Sequence, residues 1–206
     1  VAELEENGGI HMICMNWAAA PRVILSTKPI NSIDDIKGLL VRVPTNTYAA
    51  WFDALGASPV SGIPFAEVYT NIESGVIEAA EAPFATLSDY SVQEVAKYAY
   101  CSNHTYATGC AGTSVAIWNL LTEEEQQIFT DIILQEAELS IKNAAENDAK
   151  YKDLYEQEEG YTMVRFTDEE KKAFADDCRE KVWPQLNELY GEEFLTELLA
   201  DIQANT

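Results

Sequence analysis

The chain has 206 residues, 47% of them hydrophobic, and sets 13 basic against 35 acidic side chains for a formal net charge of −22 at pH 7. That apolar content supports a sizeable core, in one large domain or in two small ones joined by crossing segments. The charge repels phosphate backbones and anionic lipid, which argues against nucleic-acid and membrane-surface binding, and no apolar run approaches the ~18 to 20 residues of a membrane span, so a soluble globular chain is expected.

In chain order, residues 1–7 predict the end of a helix closed by Asn7-Gly-Gly9, and Ile10–Trp17 predicts a largely apolar strand. The opening Val1-Ala-Glu-Leu-Glu-Glu6 has neither the basic flank nor the apolar centre of a signal peptide. A helix without a start signal, followed at once by a buried-type strand, leads us to expect preceding segments that pack against it. Val23–Ser26 reads as a short strand, Ser32-Ile-Asp-Asp35 as a capped helical turn, and Leu39–Val43 as a buried strand ended by Pro44. Helical spacing over Tyr48–Leu55 closes at Gly56, and Pro59–Ile63 is strand-like. Pro64–Ser74 predicts a helix with proline in its first turn and Gly75 beyond its end, and Val76–Ala82 is again strand-like. Strands alternating with helices predict an α/β unit with a mainly parallel sheet.

Two further strands are expected at Tyr98–Asn103 and Cys110–Trp118, joined by the loop that holds His104. Thr122-Glu-Glu-Glu125 is a capping box that opens a helical pattern running to about Glu159, longer than the ~11 to 12 residues of an average helix and long enough to span two lobes. Tyr161–Phe166 predicts a short strand and Thr167-Asp-Glu-Glu170 a second capping box. Lys171–Tyr190 and Glu193–Ile202 complete a helical C-terminal part interrupted at Pro184.

For nucleophilic catalysis only His11 and His104 are available as bases, and no nucleophile elbow accompanies either; a packed or surface histidine is the plainer reading of each. His11-Met-Ile-Cys14 and Cys101-Ser-Asn-His104 form the one metal-like grouping, but on a strand a three-residue offset puts His11 and Cys14 on opposite faces, so no metal is expected. No glycine-rich phosphate loop follows a strand, and no cofactor is implied. Four cysteines are too few for a disulfide scaffold; Cys101 and Cys110 flank a turn that allows either a bridge or two unpaired thiols.

Arginine is the stronger lead. Arg22 lies five residues after Trp17, and Arg42 follows twenty later beside apolar strand sequence in an acidic chain. A guanidinium presents a planar fork of donors that matches a carboxylate bidentately. Spacing alone leaves two readings of Arg42 open: a clamp for an organic anion, or an ion pair to a local acid such as Asp34 or Asp35. Phe65, after the strand at 59–63, is placed to wall a pocket at the carboxyl ends of parallel strands, with Tyr48, Phe84 and Trp17 as further walls. Each aromatic alone reads equally as core; only their joint placement favours a binding cleft.

The order of these blocks resembles the solute-binding proteins of tripartite ATP-independent periplasmic (TRAP) transporters, including the dicarboxylate and sialic-acid types. The resemblance covers almost the whole chain: Trp17 before Arg22; Lys28-Pro-Ile-Asn-Ser-Ile-Asp-Asp-Ile-Lys-Gly38; Arg42-Val-Pro44; Leu55-Gly-Ala-Ser-Pro59; Pro64-Phe-Ala-Glu-Val-Tyr69; Ile72-Glu-Ser-Gly-Val-Ile77; Glu81-Ala-Pro83; and Glu94-Val-Ala-Lys-Tyr98 leading to His104. It implies a periplasmic-binding-protein-like (type II-like) two-lobed α/β receptor, periplasmic or otherwise extracytoplasmic (a membrane-anchored lipoprotein in a Gram-positive cell), with its signal peptide removed. Such a receptor captures a small organic acid and delivers it to the membrane subunits of a TRAP transporter without chemistry on the ligand.

In that family the arginine of the Arg-Val-Pro block clamps the ligand carboxylate, here Arg42; the arginine after the Trp motif assists, here Arg22; and Phe65 matches an aromatic lining the cleft. The position before Pro83, often a polar cleft residue in the family, is Ala82. The usual Asp-Gly after the Gly-Val block is Glu78-Ala79. By analogy residues 20–107 and 148–206 form a largely complete second lobe, residues 1–19 and 108–147 are parts of a first lobe that lacks its N-terminal βα segments, and a long helix spans both. Strands Ile10–Trp17 and Cys110–Trp118 are then expected to expose apolar surface and favour self-association. A binding-incompetent scaffold, or a hydrolase using His104 or a thiol, are the alternatives.

Overall fold

A computed structural model describes residues 2–204, leaving aside the side chains at positions 2, 18, 19, 107, 188, 189, 202 and 203. Helix α1 (Ala2–Gly8) stops at Gly9, whose φ of 62° is the left-handed conformation that ends helices. Strand β1 (Ile10–Ser26) follows as one 17-residue element, where the sequence predicts two strands broken near Pro21. Its partner explains the difference. Segment 106–114 pairs with it antiparallel from Ile10↔Ser114 to Pro21↔Tyr106, and register shifts between Met12 and Cys14, Cys14 and Trp17, and Ala18 and Pro21 take up the proline in irregularities that leave the strand unbroken.

Strand β2 (Leu40–Arg42), helix α2 (Asn46–Ala54) and strand β3 (Ser58–Val60) match the predicted order. The helix expected over Pro64–Ser74 is a 3-10 turn at Phe65–Glu67 followed by α3 (Val68–Glu73). Strand β4 (Ala79–Pro83), helix α4 (Phe84–Asp89) and strand β5 (Tyr98–Cys101) come next, and then β6 (Tyr106–Ser114). The strand predicted over Cys110–Trp118 ends at Ser114, because the Ser114 hydroxyl accepts the Ile117 N–H at 3.2 Å and caps helix α5 (Val115–Trp118).

Helix α6 (Glu123–Gln157) runs 35 residues from its capping box, where the Thr122 N–H donates to Glu125 at 2.8 Å. Strand β7 (Thr162–Arg165) leads to α7 (Asp168–Lys181), opened by the reciprocal Thr167 and Glu170 bonds that the sequence predicts. Pro184 falls in the first turn of α8 (Trp183–Tyr190), a position that needs no N–H, and α9 (Glu192–Ala204) closes the described chain.

Two compact units divide the chain. The first comprises Val1–Val23, Ala82–Thr86 and Asn103–Leu154, and the second Ile24–Glu81, Leu87–Ser102 and Tyr155–Thr206. In the first unit the leading part of β1 pairs with β6, and closeness is bought by glycine: a Cβ on Gly112 would stand 2.7 Å from the His11 carbonyl oxygen.

The second unit carries the sheet order β3-β2-β4-β1-β5-β7. β2 is parallel to β3 and to β4, and β5 to β7, but the end of β1 runs antiparallel to β5 through Ile24↔Tyr100. The parallel pairs β2–β3, β2–β4 and β5–β7 agree with the mainly parallel expectation, and the long strand β1 adds the antiparallel pair that makes the sheet mixed. Its core joins Ile24, Val41, Phe52, Ala79, Tyr100, Phe166 and Phe174, with Phe166 edge-on to Tyr100 at 4.6 Å and Trp51 edge-on to Phe174 at 5.1 Å. This packing of α2 and α7 on the core supports the carboxyl ends of β2 and β3.

Candidate functional site

Arg42 is the last residue of β2. It pairs with Val60 on β3 and Ala80 on β4, and the Val43 N–H donates to the Val60 carbonyl at 3.1 Å before Pro44 ends the strand. The carboxyl end of a parallel strand is where open α/β sheets bind ligands. Burial at 8% exposure takes the Arg42 charge largely out of water, a cost that is met only when the guanidinium is well coordinated.

Ile63 and Phe65 help to orient it. The Nε–H donates to the Ile63 carbonyl at 3.1 Å, and the guanidinium carbon lies 4.8 Å from the centre of the Phe65 ring. Gly62, at φ 85°, turns the chain out of β3 so that residues 63 to 65 come back over the arginine. Phe65 is half-buried on its 3-10 turn, and its ring also meets Tyr90, with ring centres 4.9 Å apart. Tyr90 was not among the residues that sequence pattern singles out: it follows the end of α4, and nothing in its local spacing points to a partner twenty-five positions back.

Of the other sequence-predicted residues, Tyr48 lies on α2 and packs partly buried against the core of the same unit. Trp17, Arg22 and Ala82 belong to the first unit. Trp17 is half-buried opposite Gly109, the Arg22 N–H donates to the Thr105 carbonyl at 3.0 Å, and Ala82 is 1% exposed on β4. Phe84, a candidate wall, is fully buried. Glu81, one residue before Ala82, is also fully buried, which the Glu-Ala-Pro block alone does not foretell.

Among the residues considered for other chemistry, His11 and Cys178 have structural partners. His11 stacks on Trp118 at 4.1 Å and its Nδ1 meets the Glu5 carboxylate at 2.5 Å, while Cys14 is buried. His104 is half-buried in the loop before β6. Cys110 is a free, exposed thiol, so the bridge that the sequence allows to Cys101 is not made. Cys178 accepts the Trp51 indole N–H at 2.8 Å, and burial pushes its thiol up from the ordinary value against the opposing pull of that bond.

At the amino end of β4, the Glu78 carboxyl pKa is lowered from its ordinary value by its bond from Lys28, with the Leu40 N–H as a further donor at 3.3 Å. Glu78 thus ties the start of β4 to β2. Taken together, the second unit offers a desolvated guanidinium with its plane set by a backbone carbonyl and an aromatic face, an arrangement suited to planar recognition of a carboxylate.

The family model described as DctP, bacterial extracellular solute-binding protein, family 7, matches residues 1–189. Among curated proteins, an uncharacterized protein of Haemophilus influenzae is 38% identical over 130 residues, covering 61% of this chain and 39% of its own length. The 2,3-diketo-L-gulonate-binding periplasmic protein YiaO of Escherichia coli is 32% identical over 154 residues, covering 73% and 45%. A crystal structure of a TRAP periplasmic solute-binding protein from Haemophilus influenzae with bound L-gulonate superposes with a TM-score of 0.84 at 26% identity, covering 99% of this chain and 66% of that one. The match thus takes in less than half the length of those two curated relatives.

Proposed function

The chain belongs to bacterial extracellular solute-binding protein family 7, the TRAP solute-binding proteins, and from that premise we propose that it is an extracytoplasmic receptor for a small organic carboxylate. It captures the acid, leaves it chemically unchanged, and delivers it to the membrane subunits of a TRAP transporter. The observation that carries this reading is Arg42: nearly buried at the carboxyl end of β2, with Nε on the Ile63 carbonyl and one face on Phe65. A guanidinium held in a fixed plane meets both oxygens of a carboxylate without first being ordered, so less entropy is lost on binding.

Phe65 lines the same site, while Tyr48, packed against the core, is assigned as a further wall from its sequence position alone. Roles for Arg22 as an assisting cation, Trp17 as a wall and Ala82 as a position without a polar contact rest on the family resemblance and are assigned here on that basis. The relatives' ligands, 2,3-diketo-L-gulonate for one and L-gulonate for another, make hydroxylated monocarboxylates the first acids to try.

Calorimetric titration with L-gulonate, 2,3-diketo-L-gulonate and succinate tests the reading. Binding of at least one acid is expected, with a rise in melting temperature, because a ligand that binds only the folded chain stabilises it. Arg42→Ala should weaken that affinity by about a hundredfold or more, as loss of one partner of a buried charge pair does, and Arg42→Lys should recover only part of it because an ammonium cannot bind bidentately. Wild-type affinity in Arg42→Ala would remove the clamp, and turnover of any of these acids would overturn the receptor reading.

A further inference from the structure

The Phe65 ring touches both the Arg42 guanidinium and a second aromatic, Tyr90. Tyr90 is 44% exposed, yet its ring is committed to Phe65 at 4.9 Å and a tilt of 51°. Its own position is fixed from both sides. α4 ends at Asp89, Ser91 takes a left-handed φ of 56° that a non-glycine residue adopts at a cost, and the Ser91 N–H donates to the Ser88 carbonyl at 3.0 Å. Val92, fully buried, anchors the next turn. The tyrosine is thus presented by a backbone that burial determines, while the segment it supports is different in kind. Residues 61, 62, 64, 66 and 67 are exposed, and within this segment the Ile63 carbonyl and the Phe65 ring are what meet Arg42.

We propose that Tyr90 is a positioning residue for the anion site: it props Phe65 against the guanidinium and so keeps the Ile63 to Phe65 segment closed on Arg42. The inference rests on the receptor reading for its functional meaning, though not for its mechanics. Without the prop, Phe65 gains rotamer freedom on an exposed 3-10 turn, the Nε bond to Ile63 opens more often, and the guanidinium plane is no longer fixed before the acid arrives. The phenol hydroxyl has no part in this; the ring does.

The test compares wild type, Tyr90→Ala and Tyr90→Phe by two measurements. The first, without any ligand, is hydrogen exchange of the Arg42 Nε–H followed by nuclear magnetic resonance. The second is calorimetric titration with L-gulonate and with succinate. Tyr90→Ala should speed the exchange and weaken the affinity for whichever acid binds, each by about 3- to 10-fold, the worth of one aromatic pair. Tyr90→Phe should restore both to wild-type values, a rescue that a general loss of stability would not produce. Exchange at the wild-type rate in Tyr90→Ala overturns the proposal, as does unchanged affinity for an acid that wild type binds. Should wild type take neither acid while Tyr90→Ala still speeds the exchange, the prop stands and it is the receptor reading that fails.

Discussion

Glu78 shows how one side chain reports on its surroundings. Its N–H donates to the Leu40 carbonyl at 2.8 Å, its carboxylate accepts the Leu40 N–H, and Lys28, two residues past the end of β1, pairs with it. These contacts favour the charged form, so the folded-state pKa lies below the ordinary 4.5. A depressed carboxylate stabilises the fold above the unfolded-state pKa, and that stabilisation is lost as pH falls through the folded-state value. Glu78→Gln should therefore lower the melting temperature at pH 7, and its difference from wild type should shrink progressively below about pH 4.5. A difference that stays constant down to pH 3 would mean that the charge contributes nothing. The same reasoning separates Arg42 from the surface cations. Lys171, Lys172 and Arg179 pair with acids three or four residues away on exposed helix faces, where such pairs are worth little, whereas Arg42 is desolvated.

Among the elements, helix starts were the most legible. Thr122 and Thr167 each open a helix by bonds to a residue three positions on, an interaction complete within four residues and so readable without a fold. Strand limits were not. β1 looks interrupted at Pro21 until β6 is laid beside it, and the Val115–Trp118 turn looks like strand until the Ser114 hydroxyl is seen to cap it. The register of β1 and β6 makes its own prediction. Gly112→Ala would force a Cβ to 2.7 Å from the His11 carbonyl oxygen, and backbone cannot step aside as a side chain can. Chemical denaturation should show a loss of about 1 to 3 kcal/mol, the usual cost of overpacking. An unchanged midpoint would show that the strands separate freely at that point.

At the scale of the whole molecule, apolar surface and charge oppose each other. In the first unit Ile10, Met15, Ile128, Phe129 and Ile132 are 41 to 61% exposed, the last three within two turns of α6. Contiguous apolar surface favours association, while a net charge of −22 resists it. Repulsion between exposed charges is screened over roughly 10 Å at 0.1 M salt and about 3 Å at 1 M, but apolar contact is not. The 206-residue chain is therefore expected to bind an apolar dye and to gain mass by light scattering as salt is raised. A constant mass of 22.9 kDa at low and high salt, with no dye fluorescence, would count against the expected self-association.

From the sequence by itself came the α/β class, the helix caps, the order of blocks that assigns the chain to its family, and Arg42 with Phe65 as the residues to watch. All of these are carried by local spacing or by composition, and local interactions survive without a tertiary context. Which groups of the 63–65 segment meet Arg42 was decided only by folding. The parallel register of β2 with β3, and the turn at Gly62, bring the Ile63 carbonyl and the Phe65 ring onto a guanidinium more than twenty residues away, and the chain after α4 brings Tyr90 to the same ring. Contacts made across such separations depend on strand pairing and on buried turns elsewhere, and no periodicity within a single segment encodes them.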